Sequence, residues 1–159
     1  DVTGDWLDKH IIDPQGNPYD PTKLPRKEYV GASAYFDLDL RAGIVVDVQR
    51  FPEMNKPSYK IQVDFGPIIG KLWSSAQITN YARHDLIGRM VVGAVNLGDK
   101  TLPTGFVSQF LVLGALDPDG SVRLLDLPDG VLPGSMVAWI SIISAKFLYF
   151  QYTNSNSVQ

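Results

Sequence analysis

Tyr59-Lys60-Ile61-Gln62-Val63-Asp64-Phe65 alternates apolar and polar residues without a break. A period of two puts one set of side chains on each face of an extended chain, so this stretch reads as a half-buried β-strand. Its surroundings have the same texture. Upstream, Ile44, Val46 and Val48 alternate with Val45, Asp47 and Gln49 in a strand that starts near Leu40, and Phe51 to Pro57 is the connecting loop. Downstream, Gly66-Pro67 ends the strand, Lys71 to Tyr81 follows as a third, and Arg83 to Gly88 is a helical turn closed by glycine. Met90 to Leu97 is a fourth strand and Phe106 to Leu113 a fifth, with Gly98-Asp99-Lys100 turning the chain between them. Asp117-Pro118-Asp119-Gly120 turns it again before Val122 to Leu125.

The totals agree with a β fold. A chain of 159 residues makes one domain with extensions, and 14 Gly with 11 Pro supply more turns than a helical bundle needs. Five or six short strands with one helical turn after the third fit an all-β fold with minor helix: a five-stranded barrel of the oligonucleotide/oligosaccharide-binding (OB) type. The formal charge of -3 argues against a protein coated in positive charge. No cysteine is present, which removes disulfides and thiolate chemistry. The longest apolar run, Met136 to Ala145, falls short of the roughly 20 residues of a membrane-spanning helix. The chain begins at Asp1 without Met or a signal-like segment, which gives the expectation of a processed amino terminus.

The chain is expected to fall into three parts, with an arm over 1–35, a barrel over 36–137 and an extension over 138–159. Asp1 to Ser33 carries Pro14, Pro18, Pro21 and Pro25 and holds neither a helical nor a strand period. Asp1 to Leu40 has eight acidic and four basic residues, net -4, which leaves +1 for the rest of the -3 total. Trp6, Tyr19 and Tyr29 punctuate the arm as aromatics that can dock into surface grooves. At the other end, Met136 to Ile143 and Lys146 to Tyr152 are apolar on both alternations and need covering on both faces. Trp139, Ile140, Ile142, Phe147 and Tyr149 are therefore interface candidates, against simple burial within the chain.

The third strand carries the binding chemistry. Trp73-Ser74-Ser75-Ala76-Gln77-Ile78-Thr79-Asn80-Tyr81 places hydroxyls, amides and two aromatic faces where a plain core strand would carry Val and Ile. Its polar members are expected to point outward into a groove, with Ala76 and Ile78 inward. Arg41 to Arg89 holds seven basic and four acidic residues, net +3, so the half with this strand is the basic half. Catalysis has weak support: with two His in the chain, Ser74 or Ser75 with His84 is the one nucleophile–base candidate, and no third group orients it. Asp8, His10 and Asp13, like Asp117 and Asp119, lack a metal-ligand spacing, so no metal or cofactor is expected.

Leu40-Arg41-Ala42-Gly43, the run Phe51 to Gly66 and Trp73-Ser74-Ser75-Ala76-Gln77-Ile78-Thr79, followed by Asp85-Leu86-Ile87-Gly88, Ser108 to Gly114 and Leu132 to Ser135, resemble the tRNA-binding domain family in its CsaA branch of export-related chaperones. The resemblance spans Phe36 to Val137, and the bounds expected for the barrel are those that it implies. It implies an OB barrel, a homodimer, no catalysis and a pocket for tRNA or unfolded peptide. It maps the pocket onto Ser74, Ser75, Gln77 and Thr79, with Lys56, Pro57 and Tyr59 on the adjoining loop. Lys56 and Lys71 become phosphate or carboxylate partners, and Trp73 and Tyr81 stacking faces. Met54-Asn55, Leu72-Trp73 and Gly98-Asp99-Lys100 stand where the family usually has charge, so the basic face is weakened. The family implies a cytoplasmic protein; the alternative, to which the processed amino terminus and the two extensions point, is an accessory subunit of a larger, organellar complex.

Overall fold

The structure, a computed structural model, describes residues 19–139. Its centre is a five-stranded antiparallel sheet that curls into a nearly closed barrel. The strands are β1 (Leu40–Arg50), β2 (Tyr59–Asp64), β3 (Lys71–Ala76), β4 (Met90–Ala94) and β7 (Leu111–Val112), in the order β3-β2-β1-β4-β7. Two hairpins flank it: β5 (Lys100–Thr101) with β6 (Val107–Ser108), and β8 (Gly114–Leu116) with β9 (Val122–Leu124). Three single-turn helices complete the described chain: α1 (Ser33–Phe36), α2 (Gly66–Ile69) and α3 (Arg83–Leu86).

β2 follows its alternation. Ile61, Val63 and Phe65 are buried, while Lys60, Gln62 and Asp64 face out. β1 departs from the expected phase. Val45 pairs with Val63 and Asp47 with Gln62, so Val46 is an extra residue, a β-bulge. The bulge resets the alternation: Val45 and Val48 turn inward, and Val46 is left 38% exposed. β4 pairs with β1 only as far as Ile44, and farther along β1 the Val48 carbonyl accepts two N–H bonds from the Arg83 guanidinium at 3.0 and 2.8 Å. That anchor holds α3 in place, and Leu86 from α3 is fully buried in the core.

Other departures are local. Gly66 and Pro67 start α2 instead of simply ending a strand. The expected third strand stops at Ala76, and the fourth at Ala94. The expected fifth strand is broken at Gln109 and Phe110 into β6 and β7, because Phe110 turns into the core, with its ring 5.0 Å from that of Phe65 in an edge contact. The turn at Asp117 forms as expected, with the Gly120 amide donating to the Asp117 carbonyl at 2.9 Å. Asp117 accepts from Arg123, and Asp119 from Ser121.

The ends of the barrel domain meet at one corner. Ser135 to Val137 pairs with the start of β1 through Ala42 N to Ser135 O and Val137 N to Leu40 O, each 2.8 Å. Tyr35 donates from its hydroxyl to the Val137 carbonyl at 3.5 Å, and Phe36 stacks on Trp139 at 5.8 Å. Asn96 clamps the entry to β1 by accepting from Asp39 N and donating to Asp37 O.

Close packing around Phe65 requires two glycines without side chains. A Cβ on Gly43 would lie 2.5 Å from Val63 and 2.7 Å from the Phe65 ring, and one on Gly93 would lie 2.7 Å from the same ring. Gly43→Ala is expected to overpack this site and lower stability by about 1–3 kcal/mol, read as a lower denaturation midpoint at unchanged m-value. A midpoint equal to that of the unsubstituted protein would show that the Phe65 ring has room to move.

Candidate functional site

The outer face of β1, β2 and β3 is built of rows fixed by register. Asp47, Gln62 and Trp73 form one row, and Gln49, Lys60 and Ser75 the next. The β5–β6 hairpin folds beside them and borders an open cleft of about 450 Å³ lined by Gln49, Lys60, Trp73, Phe106, Val107 and Gln109. Lys60 is held there by aromatic faces: its Nζ lies 4.6 Å from the Phe51 ring centroid and 5.4 Å from that of Phe106. The two rings meet edge to face at 5.3 Å. Such contacts are worth about 0.5–2 kcal/mol and fix a side chain that is otherwise flexible.

The floor of the cleft is where the barrel closes. Gln109 donates its backbone N–H to the Trp73 carbonyl at 2.8 Å and accepts the Trp73 N–H on its side-chain oxygen at 3.0 Å. The amide side chain thus stands in for a strand carbonyl, and both edge groups of Trp73 are satisfied. One residue on, the Ser74 hydroxyl donates to the Phe110 carbonyl at 2.7 Å and lies 3.3 Å from the Ser108 hydroxyl.

Ser74 therefore departs from the expectation of an outward polar run. It is 1% exposed, and its hydroxyl is committed to closing the barrel, because a strand position that faces the core can keep a polar group only with an internal partner. Ala76 and Ile78 are buried, as expected. Ser75 and Gln77 are half-buried, and Thr79 is exposed in the loop after β3. Lys56 and Pro57 are exposed on the β1–β2 loop, and Lys71 is exposed at the far end of β3 from Ser75. Tyr59 and Tyr81 are engaged with each other and the scaffold. The Tyr59 hydroxyl donates to the Tyr81 carbonyl at 2.9 Å, the Tyr81 hydroxyl accepts from Leu124 N at 3.0 Å, and Arg89 lies over the Tyr81 ring. His84 is exposed on α3 with its ring 3.4 Å from Asp85. Of the proposed interface residues Trp139 is described and is 54% exposed; Ile140, Ile142, Phe147 and Tyr149 lie outside the described residues.

Of the nominated residues, Trp73 is the one among the described residues that lines the cleft. Lys60, Gln49 and Gln109 were missed. The alternation of β2 already puts Lys60 on the outer face, but the aromatic partner Phe106 comes from a hairpin far along the chain. That juxtaposition leaves no mark in local sequence.

Comparison with known proteins gives a consistent set of relatives. No family profile matches the chain. A methionine–tRNA ligase of Porphyromonas gingivalis is 30% identical over 141 residues, covering 82% of this chain and 20% of the ligase. That of Thermococcus onnurineus is 38% identical over 102 residues, 64% of this chain and 13% of the ligase. The chain thus spans about a fifth or less of the length of these ligases. Among solved structures, the CsaA chaperone protein of Picrophilus torridus superposes with a TM-score of 0.65 at 43% identity, over 69% of this chain and 100% of that one. Chaperone CsaA of Bacillus anthracis does so with a TM-score of 0.62 at 35% identity, over 70% of this chain and 100% of that one.

Closure through Ser74 carries a testable cost. Ser74→Ala leaves the Phe110 carbonyl without its hydroxyl donor and is expected to destabilise the fold by about 1–3 kcal/mol in urea unfolding. Ser75→Ala, on the open face, is expected to stay within about 0.5 kcal/mol. Equal effects of the two would mean that Ser74 does not close the barrel.

Proposed function

This chain belongs to the tRNA-binding domain family, in its CsaA-like branch, and we propose that it is a non-catalytic binding module that holds tRNA-like RNA in the cleft beside β3. The observation that carries this reading is the side-by-side placement of Lys60 and Trp73 on the open face of the sheet. A cation for a phosphate next to a flat face for a base is the combination with which single-stranded nucleic acid is held. Lys56 and Pro57 stand on the neighbouring β1–β2 loop, where Lys56 can reach a further phosphate, and exposed Lys71 offers a contact at the other end of β3. Ser75, paired across the sheet with Lys60, adds a hydroxyl beside the cleft, and Gln77 and Thr79 offer further hydrogen-bonding groups in the loop after β3. The family's second ligand class, unfolded peptide, is the competing occupant of the same face, and a homodimer is the assembly that the family implies.

Three to five phosphate contacts predict weak, salt-sensitive binding, with a log-log salt slope of roughly -2 to -4. Titration of labelled tRNA against the full chain is expected to give that slope, and Lys56→Ala or Lys71→Ala should each reduce its magnitude by about 0.7. Absence of any shift at low salt would sink the RNA reading.

A second reading, recruitment as an accessory subunit of a larger complex, is favoured by one observation. Both extensions leave the barrel at the corner where Tyr35, Leu38, Met136 and Trp139 are exposed. Affinity purification from the native source should then recover the chain with stable partners attached to that corner. Recovery as a free monomer or dimer alone would overturn this second reading.

A further inference from the structure

We infer that the Lys60–Trp73 cleft takes one unpaired nucleotide, with its phosphate on the Lys60 ammonium, its base against the Trp73 indole and the base edge between Gln49 and Gln109. This rests on the RNA reading above and narrows it from tRNA-like RNA to an unstacked, single-stranded position within it.

The two amides decide the chemistry. Gln109 receives the Trp73 backbone N–H, which can only donate, so its carbonyl oxygen faces the strand and its NH2 group is left to donate elsewhere. Gln49 donates one of its two amide N–H groups at 2.9 Å to the Asp47 carboxylate, which orients the amide and leaves its carbonyl oxygen to accept. The cleft wall therefore offers one amide donor and one amide acceptor beside an indole face. A phosphate alone, which only accepts, has no use for the Gln49 oxygen. A nucleobase has donors and acceptors along one edge and a flat face at right angles to it.

Lys60 supplies the anion site. Among the described residues no carboxylate pairs with it, and its position is fixed by the faces of Phe51 and Phe106, which take up none of its N–H groups in hydrogen bonds. The cleft is open to solvent, and its volume of about 450 Å³ leaves room for a group of nucleotide size to lie along it. Duplex RNA fits badly on two counts. Its bases are stacked and cannot offer a face to Trp73, and a net charge of +3 across Arg41 to Arg89 is too little to hold a backbone by many phosphates.

The test uses the full chain with three fluorescent probes at low salt: a single-stranded RNA decamer, a duplex of the same length, and tRNA. The decamer is expected to bind at least tenfold more tightly than the duplex. Trp73→Ala should weaken the decamer by about tenfold to a hundredfold, the effect of losing one stacked base, and Trp73→Phe should restore most of that. Lys60→Met should lower the magnitude of the decamer salt slope by about 0.7. Gln49→Leu should weaken the decamer without changing the slope, which a loss of folding or of charge would not do. If tRNA binds but the duplex matches the decamer, or Trp73→Ala and Gln49→Leu leave the decamer unaffected, the cleft is not a nucleotide site while the RNA reading stands. If none of the three RNAs binds, whether or not an unfolded peptide does, both readings fail together.

Discussion

The barrel depends on how its last edge is closed. Trp73 presents an N–H and a C=O at the open edge of β3, and the chain from Ser108 to Phe110 passes there without forming a regular ladder with it. An unpaired edge in this position would cost the burial of two polar groups and leave a template for association. Gln109 meets the need with one backbone donor and one side-chain acceptor, and Ser74 adds a hydroxyl donor to the next carbonyl along. Closure by side chains in place of a strand lets the main chain bend at Phe110, so that ring reaches Phe65 in the core. The same bend carries the β5–β6 hairpin over the sheet and brings Phe106 to Lys60. Core and cleft are consequences of one closure.

The strand that carries the polar residues therefore does two jobs, divided by parity. Ser74 and Ala76 face inward, and Trp73 and Ser75 face outward. Read in sequence, the hydroxyls look like one run of binding groups. In three dimensions half of that run belongs to the barrel. A serine on the core face is indistinguishable in sequence from one on the solvent face until its partner is known, and the partner of Ser74 lies 36 residues away.

Legibility followed the range of the interactions involved. The alternation of β2 and the turns at Gly88 and Gly120 are local, and they carried the fold class, while the family was legible in short runs such as Trp73 to Thr79. The bulge at Val46 was not legible, because an inserted residue shows only against its partner strand; it turns Val45 inward and Val46 outward, while Val48 keeps the facing expected of it. Lys60 was visible as an outward lysine but not as a site, since its worth lies in two rings contributed by Phe51 and Phe106. Tyr81 is the opposite case. Its aromatic face reads in sequence as available for stacking, yet Arg89 lies over the ring and its hydroxyl accepts from Leu124 N, while the Tyr59 hydroxyl donates to the Tyr81 carbonyl.

A weakly charged surface does not prevent anion recognition if one cation is held in place beforehand. A lysine on an open surface gives up side-chain entropy when it orders around a ligand, and part of that cost is removed when aromatic faces already position it. The cleft and the corner of the two extensions lie at opposite ends of β1, at Gln49 and at Leu40, nine residues apart and so roughly 30 Å distant at about 3.3 Å per residue. A partner seated against Tyr35, Met136 and Trp139 would leave Lys60 and Trp73 open. Attachment to a larger assembly and retention of a nucleotide-sized cleft are therefore compatible on this barrel, and their separation along one strand lets each be changed without disturbing the other.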